Sequence, residues 1–213
     1  MCGRASQRLT EDFALMIAHF TLPDILTTRN NLRPTEPAWI VARRGDGVIR
    51  TLRARWWCQR EGGTHFETKY PTFNARVDTM HERRLWSDLL RRGQRCLFPV
   101  SSFYEWPIKG KGLPPVEIFV EGRKPYALAG LWSRYTDEDS PFFSFAVFTT
   151  APNDFMLPIH EKAMPVIISD IHDQERWLTE GDEELLVPYK GILEADKLDS
   201  TLEKLYPNEN AKR

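Results

Sequence analysis

The sequence predicts an α+β fold built on an antiparallel or mixed sheet. Short apolar runs bounded by proline and glycine follow one another from about residue 95 to residue 169, without the intervening helices of βαβ units. Helical periodicity is confined to three other segments. With 213 residues, 41% hydrophobic and 28% charged, the chain has an ordinary globular composition. We expect one domain over residues 1–213, with its core between residue 1 and about residue 180 and an acidic peripheral tail over 181–213.

The first predicted helix is TEDFALMIAHF, residues 10–20. Thr10 suits its N-cap, two acidic residues follow in the first turn, and Phe13 and Ile17 share one face. Strands are expected over AWIVA and VIRTLRARWW, residues 38–42 and 48–57. The pattern of these early segments predicts a helix followed by two neighbouring strands.

The second predicted helix is DTMHERRLWSDLLRRG, residues 78–93. Its apolar positions Leu85, Trp86 and Leu89 face inward, and Gly93 ends it. A third helix, DIHDQERWL, is capped by Asp170. Strands are predicted for the five apolar runs RCLFPV, PVEIFV, YALAGLW, FFSFAVFTT and MPVIIS.

The net charge of −1 conceals an uneven distribution along the chain. Residues 29–95 carry 15 Lys and Arg against 7 Asp and Glu, whereas residues 136–213 carry 7 against 17. A basic stretch of this kind is one sign of a polyanion-binding surface. The alternative is that these arginines are solvated or pair with the acidic C-terminal segment.

The cysteine content and the hydropathy pattern limit the class of protein. No apolar run approaches the roughly 18 residues of a membrane span, and the N-terminus has no secretory signal pattern. The three cysteines, Cys2, Cys58 and Cys96, include no CxxC pair. They are therefore expected to be reduced thiols of the cytoplasm, with neither a disulfide framework nor a metal site.

Cys2 is the first candidate for chemistry because it follows the initiator methionine. Removal of Met1 would place a thiol and a free α-amine on one residue, and both groups have a reactive fraction near neutral pH. Such a 1,2-aminothiol condenses with an aldehyde to a Schiff base and then closes to a thiazolidine ring. The alternative is that Cys2 is only a small residue after methionine.

Three further candidates lie in FNARVDT, FYEWP and LPIHEKAMPVII. Asn74 is able to orient an amine or a sugar hydroxyl, or else to form a turn. Glu105 stands between large aromatic residues, either exposed or buried with a raised pKa that suits general acid–base catalysis. His160 is suited to proton transfer near neutral pH, or is structural. No cysteine or histidine lies near it at metal-ligand spacing.

Four short blocks occur in order along the chain. They are Cys-Gly-Arg after Met1, Asn-Ala-Arg at 74–76, an aromatic-flanked Glu-Trp at 105–106 and His-x-x-x-Met-Pro at 160–165. In this order they resemble the SRAP family, the SOS-response-associated peptidase-like proteins that trap abasic sites in single-stranded DNA. The resemblance runs from Cys2 to about Ile168. It implies the SRAP fold, a curved or barrel-like mixed sheet flanked by a few helices.

The resemblance also implies a role for each candidate residue. Cys2 would condense with the ring-opened sugar aldehyde and form a thiazolidine DNA–protein crosslink. Asn74 would position the cysteine and the sugar, Glu105 would manage protons during Schiff-base formation, and His160 would assist proton transfer. Autocatalytic removal of Met1 and cleavage of the strand by β-elimination are implied as side activities.

The same resemblance identifies the partner as single-stranded DNA that contains abasic sites. Arg4 and Arg76 would grip phosphates beside the lesion, and Thr149 would face the sugar or a phosphate. It implies no metal and no cofactor. We expect a monomeric DNA-damage (SOS) response protein of the cytoplasm, associated with the nucleoid and replication forks and not with a membrane.

The chain departs from the family pattern in two places. The family follows the strand tryptophan with an apolar-Pro-x-Trp stretch, whereas Trp57 here leads into CQREGGTHFE. His65 or Phe66 is expected to replace the missing aromatic against a nucleobase, with Trp57 also contacting DNA. The family's late Val-Ser…Val-Asn segment has no counterpart after Gly181.

Two other functions use part of the same pattern. An N-terminal-nucleophile cysteine hydrolase or protease would use Cys2 but has no need for the basic stretch. A non-catalytic single-strand-binding module would use the arginines and aromatic residues but needs neither Glu105 nor His160. Only the crosslinking protein would form an adduct with abasic DNA that survives denaturant.

Overall fold

The computed structural model describes residues 2–21, 26–107, 112–137 and 140–207. Four α-helices and thirteen strands lie in these ranges. The helices are α1 (Glu11–Ala18), α2 (Arg84–Arg91), α3 (Ile171–Thr179) and α4 (Leu202–Leu205). The strands are β1 (Ala5–Gln7), β2 (Arg29–Leu32), β3 (Pro37–Arg43), β4 (Ile49–Trp56), β5 (Asn74–Arg76), β6 (Arg95–Val100), β7 (Ser102–Glu105), β8 (Val116–Val120), β9 (Tyr126–Asp137), β10 (Ser140–Thr150), β11 (Met164–Pro165), β12 (Ile167–Ile168) and β13 (Leu193–Lys197).

Five strands close into a barrel. Antiparallel pairs join β4 to β3, β3 to β6, β6 to β9 and β9 to β10. A parallel pair between β10 and β4 completes the ring. The short strands β5 and β11 add to β10, and β12 adds to β9. The predicted α+β class with a mixed, barrel-like sheet is confirmed.

Alternation along the barrel strands separates an inner from an outer core. Ile40 and Ala42 of β3 belong to the same buried cluster as Trp56 and Cys2. This inner cluster fills the barrel. Val41, between them, belongs to a second cluster with Phe13 of α1 and Trp177 of α3. Because successive strand residues point to opposite faces, the helices cover the outside of the barrel while large side chains fill its interior.

The first and third helices have the predicted caps. The Thr10 hydroxyl accepts a hydrogen bond from the Phe13 amide at 3.2 Å. The Asp170 carboxylate accepts from the amide of His172 at 2.8 Å. Both side chains therefore satisfy backbone donors that a helix N-terminus leaves unpaired.

The second helix begins later than its pattern predicts. A 3-10 turn covers Val77–Thr79, and the α-helix runs only from Arg84 to Arg91. The amides of Glu82 and Arg83 both donate to the Thr79 carbonyl at 3.1 Å, which closes a turn ahead of the helix. Gly93, with φ of +67°, ends the segment as expected.

A second sheet of five strands, in the order β13-β8-β7-β1-β2, lies beside the barrel. Its strand β1 consists of three residues that are all buried, so no alternation marked it in the sequence. The acidic segment that we expected to be peripheral supplies the edge strand β13 and buries Leu193 and Leu202. Apolar residues at wide spacing anchor this segment, although its overall composition is acidic.

Candidate active site

Strand pairing in the second sheet brings the beginning of the chain to the end of β7. Ala5 lies opposite Phe103, and the Tyr104 amide donates to the Arg4 carbonyl at 3.0 Å. Cys2, two residues before Arg4, is therefore held close to Glu105. The Cys2 side chain is fully buried, in a cluster that includes Tyr126.

Asn74 reaches the same place from the barrel. Strand β5 runs parallel to the end of β10, with Asn74 opposite Val147 and Arg76 opposite Thr149. The Asn74 side-chain nitrogen donates to the Cys2 carbonyl at 2.9 Å. Its Oδ1 is buried and has no hydrogen-bond partner among the residues that the structure describes, so it is left to accept a hydrogen bond from a ligand.

Glu105 is buried, with 3% of its surface exposed. Loss of solvent raises the pKa of its carboxyl group from 4.5 to about 7. Burial also raises the pKa of the Cys2 thiol, and the charge of Glu105 raises it further. A carboxyl group that titrates near neutral pH beside a neutral thiol is suited to receive and return protons.

His160 enters the region from the loop that follows β10. Its amide donates to the carbonyl of Met156 at 2.7 Å, and Met156 packs in the same buried cluster as Cys2. The imidazole is half-buried, and burial lowers its pKa below 6.5. It is therefore mainly neutral at pH 7, the form that accepts a proton.

The three residues predicted to hold phosphate and sugar lie around these groups. Arg76 and Thr149 line a cavity of about 260 Å³ that also includes Lys162. Arg76 is exposed and forms a bidentate ion pair with Asp78. Arg4 is half-buried, and its guanidinium lies 3.4 Å from the Glu203 carboxylate. Both arginines are thus held by carboxylates, which occupy the kind of position a phosphate would take.

The two aromatic residues predicted to contact DNA lie in different surroundings. The half-buried Trp57 packs against Phe73, the neighbour of Asn74, with 5.2 Å between ring centroids. Phe66 packs under the Arg55 guanidinium at 4.3 Å and beside Tyr135 at 6.0 Å. The structure therefore brings Trp57 towards Asn74, whereas Phe66 belongs to an intramolecular stack. His65 is exposed.

Two residues that sequence analysis did not select also lie here. Trp106 is 39% exposed, and the Arg4 guanidinium lies 5.7 Å from its ring. Lys162 shares the cavity of Arg76 and Thr149. Trp106 directly follows Glu105, and Lys162 lies two residues after His160, so both stand inside motifs quoted above. Their position within those motifs is the sequence signal that could have identified them.

The ion pairs also decide how the basic stretch is neutralised. Within the described ranges, several of its arginines pair with nearby carboxylates, as Arg33 does with Glu36 and Arg50 with Asp46. The sequence left open the alternative that these arginines pair with the acidic C-terminal segment. Among the described residues, the arginine–carboxylate pairs of the basic stretch do not reach that segment. The exposed arginines that remain without such a pair include Arg44, Arg53, Arg60, Arg83 and Arg92.

Comparison with known proteins assigns the chain to a family. The profile of the SOS response associated peptidase family, SRAP, matches residues 1–204. The chain belongs to the SRAP family. Among SRAP relatives, the abasic site processing protein YoqW of Bacillus subtilis (strain 168) is 30% identical over 202 residues, covering 89% of this chain and 88% of the relative.

Other SRAP relatives and solved structures extend the comparison. The abasic site processing protein YoaM of Bacillus subtilis (strain 168) is 32% identical over 203 residues, covering 89% of this chain and 86% of its own. A solved protein from Bacteroides thetaiotaomicron has a TM-score of 0.76 at 20% identity, covering 99% of this chain and 97% of that one. A protein from Bordetella bronchiseptica has a TM-score of 0.75 at 22% identity, with coverages of 92% and 100%. At these identities the two structures establish the fold.

Within the described part of the chain, no helix has both the length and the apolar character needed to cross a membrane. The same residues contain no group of three or more His, Cys, Asp or Glu side chains that could hold a metal ion.

Proposed function

We propose that this protein processes abasic sites in single-stranded DNA by forming a covalent thiazolidine crosslink through Cys2. The observation that carries the proposal is the convergence of Cys2, Asn74 and Glu105, which three separate parts of the chain bring together. The proposal is supported by the SRAP relatives, which are named as abasic site processing proteins. We place the activity in the cellular response to DNA damage, at exposed single strands such as those of replication forks.

The reaction begins after Met1 has been removed. The α-amine of Cys2 attacks the aldehyde carbon of the ring-opened sugar, and loss of one water from the carbinolamine gives a Schiff base. The thiol sulfur then adds to the imine carbon, and its proton passes to the nitrogen. The product is a thiazolidine ring, and no oxidant or reductant is consumed.

Glu105 and Asn74 have different roles around Cys2: Glu105 transfers protons and Asn74 positions the reacting groups. With a pKa of about 7, Glu105 is able to take a proton from the attacking amine and to deliver one to the departing hydroxyl. Asn74 fixes the Cys2 backbone through its amide nitrogen and offers its oxygen to the sugar or the amine. His160, neutral at pH 7, serves as the second proton acceptor, including in reversal of the crosslink.

The surrounding residues hold the strand. Arg4, Arg76 and Lys162 supply positive charge for phosphates, and Thr149 supplies a buried hydroxyl. The exposed ring of Trp106 offers a stacking surface for a base beside the lesion, and Trp57 packs on Phe73, the residue before Asn74. Before the thiol adds, the imine permits β-elimination of the 3′ phosphate, so a weak lyase activity accompanies the crosslink.

The deciding experiment is a denaturing gel of protein incubated with an abasic single-stranded oligonucleotide. Wild-type protein should give a shifted band, and Cys2→Ala should give none while retaining non-covalent binding. Cys58→Ala is the matched control, because Cys58 is also fully buried but lies in the outer core. An adduct that persists in Cys2→Ala without reductant would assign the nucleophile to another residue.

Intact mass spectrometry tests the state of the N-terminus. Active protein should lack Met1, because an acylated nitrogen cannot form a Schiff base. Either a host aminopeptidase or the protein's own Cys2 would remove Met1. The Glu105→Gln variant distinguishes these two routes, because it should retain Met1 only if the removal is autocatalytic. Fully active protein that keeps Met1 would contradict the mechanism.

A further inference from the structure

A second polar groove lies at the opposite end of the barrel from Cys2. At the cysteine end, Val100 of β6 pairs with Tyr126 of β9, and at the other end Arg95 pairs with Leu131. Phe143 and Thr149 of β10 mark the two ends, and the strand between them spans about 20 Å at the usual rise per residue. The groove is therefore distinct from the site described above.

The floor of this groove is the end of the barrel core. Trp132 and Phe143 meet edge to face, with ring centroids 5.7 Å apart. Gln94 lies beside them, because the Trp132 amide donates to its carbonyl at 3.0 Å. With the turn that follows β3, these residues enclose a cavity of about 590 Å³.

Two buried polar atoms, one in each of two side chains that line the cavity, have no partner among the described residues. They are the indole nitrogen of Trp132, in a side chain 7% exposed, and the Oε1 of Gln94, in a residue 9% exposed. The amide nitrogen of Gln94 is fixed by a 2.7 Å hydrogen bond to Glu61, which orients its oxygen. An unpaired buried donor or acceptor destabilises a protein, so a ligand that pairs with both atoms gains binding energy.

Positive charge surrounds these two atoms. The lining includes the four arginines 43, 44, 92 and 134 and a single carboxylate, Glu61. That carboxylate is already engaged by the Gln94 side chain and the Arg134 amide. Arg44, Arg92 and Arg134 are exposed and form no ion pair with any described residue, whereas Arg91 next to them pairs with Asp88.

We propose that this groove is a second contact site for single-stranded DNA. The arginines bind phosphates, and the unpaired donor of Trp132 and acceptor of Gln94 bind base edges, which carry both kinds of group. The half-buried ring of Phe143 offers an aromatic face. An acidic peptide would use the arginines alone. The inference rests on the proposed function, since it gives the same strand a second point of attachment.

The test measures binding of fluorescent oligothymidine by anisotropy over a range of salt concentrations. Arg92→Ala/Arg134→Ala should weaken binding on the order of tenfold at 0.1 M salt and lower the salt slope by about 1.4, since each phosphate contact on a single strand contributes about 0.7. The matched control is Arg53→Ala/Arg83→Ala, which removes the same charge from two exposed arginines outside the groove that also form no ion pair with a described residue.

Trp132→Phe tests the base contact separately. It keeps an aromatic side chain but removes the indole donor, so affinity should fall while the salt slope stays constant and the melting temperature confirms folding. Equal binding by the groove and control variants would overturn the proposal, as would competition by polyglutamate at the same charge concentration as DNA.

Failure of the crosslinking function is scored on the same samples. A short abasic oligonucleotide should give the denaturant-resistant adduct equally with wild type and with Arg92→Ala/Arg134→Ala. If the wild type gives no adduct, the crosslinking function fails. The anisotropy comparison still decides whether the groove binds DNA.

Discussion

At the scale of single residues, two buried glutamates illustrate how surroundings separate chemistry from structure. Glu117 is 5% exposed, and its carboxylate accepts hydrogen bonds from Arg8 and Ser102. Glu105 is 3% exposed, and burial raises its pKa to about 7. The first carboxylate ties strands together, whereas the second is suited to exchange protons.

Glu105→Gln should slow crosslinking by about 10²–10⁴-fold, the range that a proton-transfer residue contributes. The amide keeps the shape of the side chain but cannot titrate, so the affinity for DNA should change little. A single-turnover time course with saturating protein measures the rate. Glu117→Gln is the control and should lower the melting temperature without slowing the folded fraction. A Glu105→Gln rate close to that of wild type would remove this residue from the mechanism.

The raised pKa of Glu105 also predicts a pH dependence of stability. Folding raises this pKa from 4.5 to about 7, so the folded protein keeps a proton that the unfolded chain releases in that window. The free energy of unfolding should therefore decrease as pH rises from 4.5 through 7, by about 3 kcal/mol from this group. Urea unfolding at pH 5 and pH 8 measures the decrease. Glu105→Gln should lose this component and Glu117→Gln should keep it; an equal decrease in both would refute the assignment.

At the scale of elements, the second sheet places the cysteine and the C-terminal segment supports that sheet. Strand β1 carries Cys2 to Glu105 through its pairing with β7, β8 pairs with β7, and β13 closes the edge. Leu193 of β13 is 6% exposed, whereas its neighbour Ile192 is 60% exposed. The segment after residue 181 thus contributes to stability without contributing a residue to the proposed site, apart from the ion pair of Glu203 with Arg4.

Leu193→Ala should lower the free energy of unfolding by about 2–5 kcal/mol, the cost of truncating a buried leucine. The adjacent Ile192→Ala should change it by less than about 0.5 kcal/mol, as expected for an exposed position. Chemical denaturation measures both values. The crosslinking rate of the folded fraction should be unchanged in each variant. A small effect of Leu193→Ala would mean that β13 is dispensable for the fold.

At the scale of the whole molecule, part of the basic stretch is neutralised locally by carboxylates of the same stretch. Carboxylates within the basic stretch pair with its arginines, as Glu36 does with Arg33 and Asp78 with Arg76. The C-terminal segment contributes Glu203, which pairs with Arg4, a candidate DNA-binding residue. Glu203 and Asp78 therefore compete with phosphate for Arg4 and Arg76. Long-range attraction of DNA depends on the arginines that remain without partners.

Glu203→Gln should strengthen binding of single-stranded DNA, because Arg4 would no longer be paired with a carboxylate. Arg4→Ala should weaken it and reduce the salt slope by about 0.7. Titrations at several salt concentrations measure both effects. Glu194→Gln is the matched control, since Glu194 neighbours Arg123 at the edge of the second sheet. A gain in affinity shared equally by Glu203→Gln and Glu194→Gln would show that only net charge matters.

The sequence by itself determined the elements whose signals are local. The caps at Thr10 and Asp170 and the apolar runs of β3, β6 and β10 were readable because capping and alternation act within a few residues. The ordered motifs identified the family for the same reason. The sequence predicted too early a start for α2, because a 3-10 turn and an α-helix space their apolar residues at similar intervals.

Only the tertiary structure decided how these parts meet. The Asn74–Cys2 hydrogen bond joins residues 72 apart, and it depends on a three-residue strand too short to carry a pattern. Sheet register likewise placed Trp57 near Asn74 and Phe66 under Arg55, although both are aromatic residues of one loop region. Register and burial arise from contacts between distant segments, so they set the pKa of Glu105 and the partners of the arginines. Neither can be read from local periodicity.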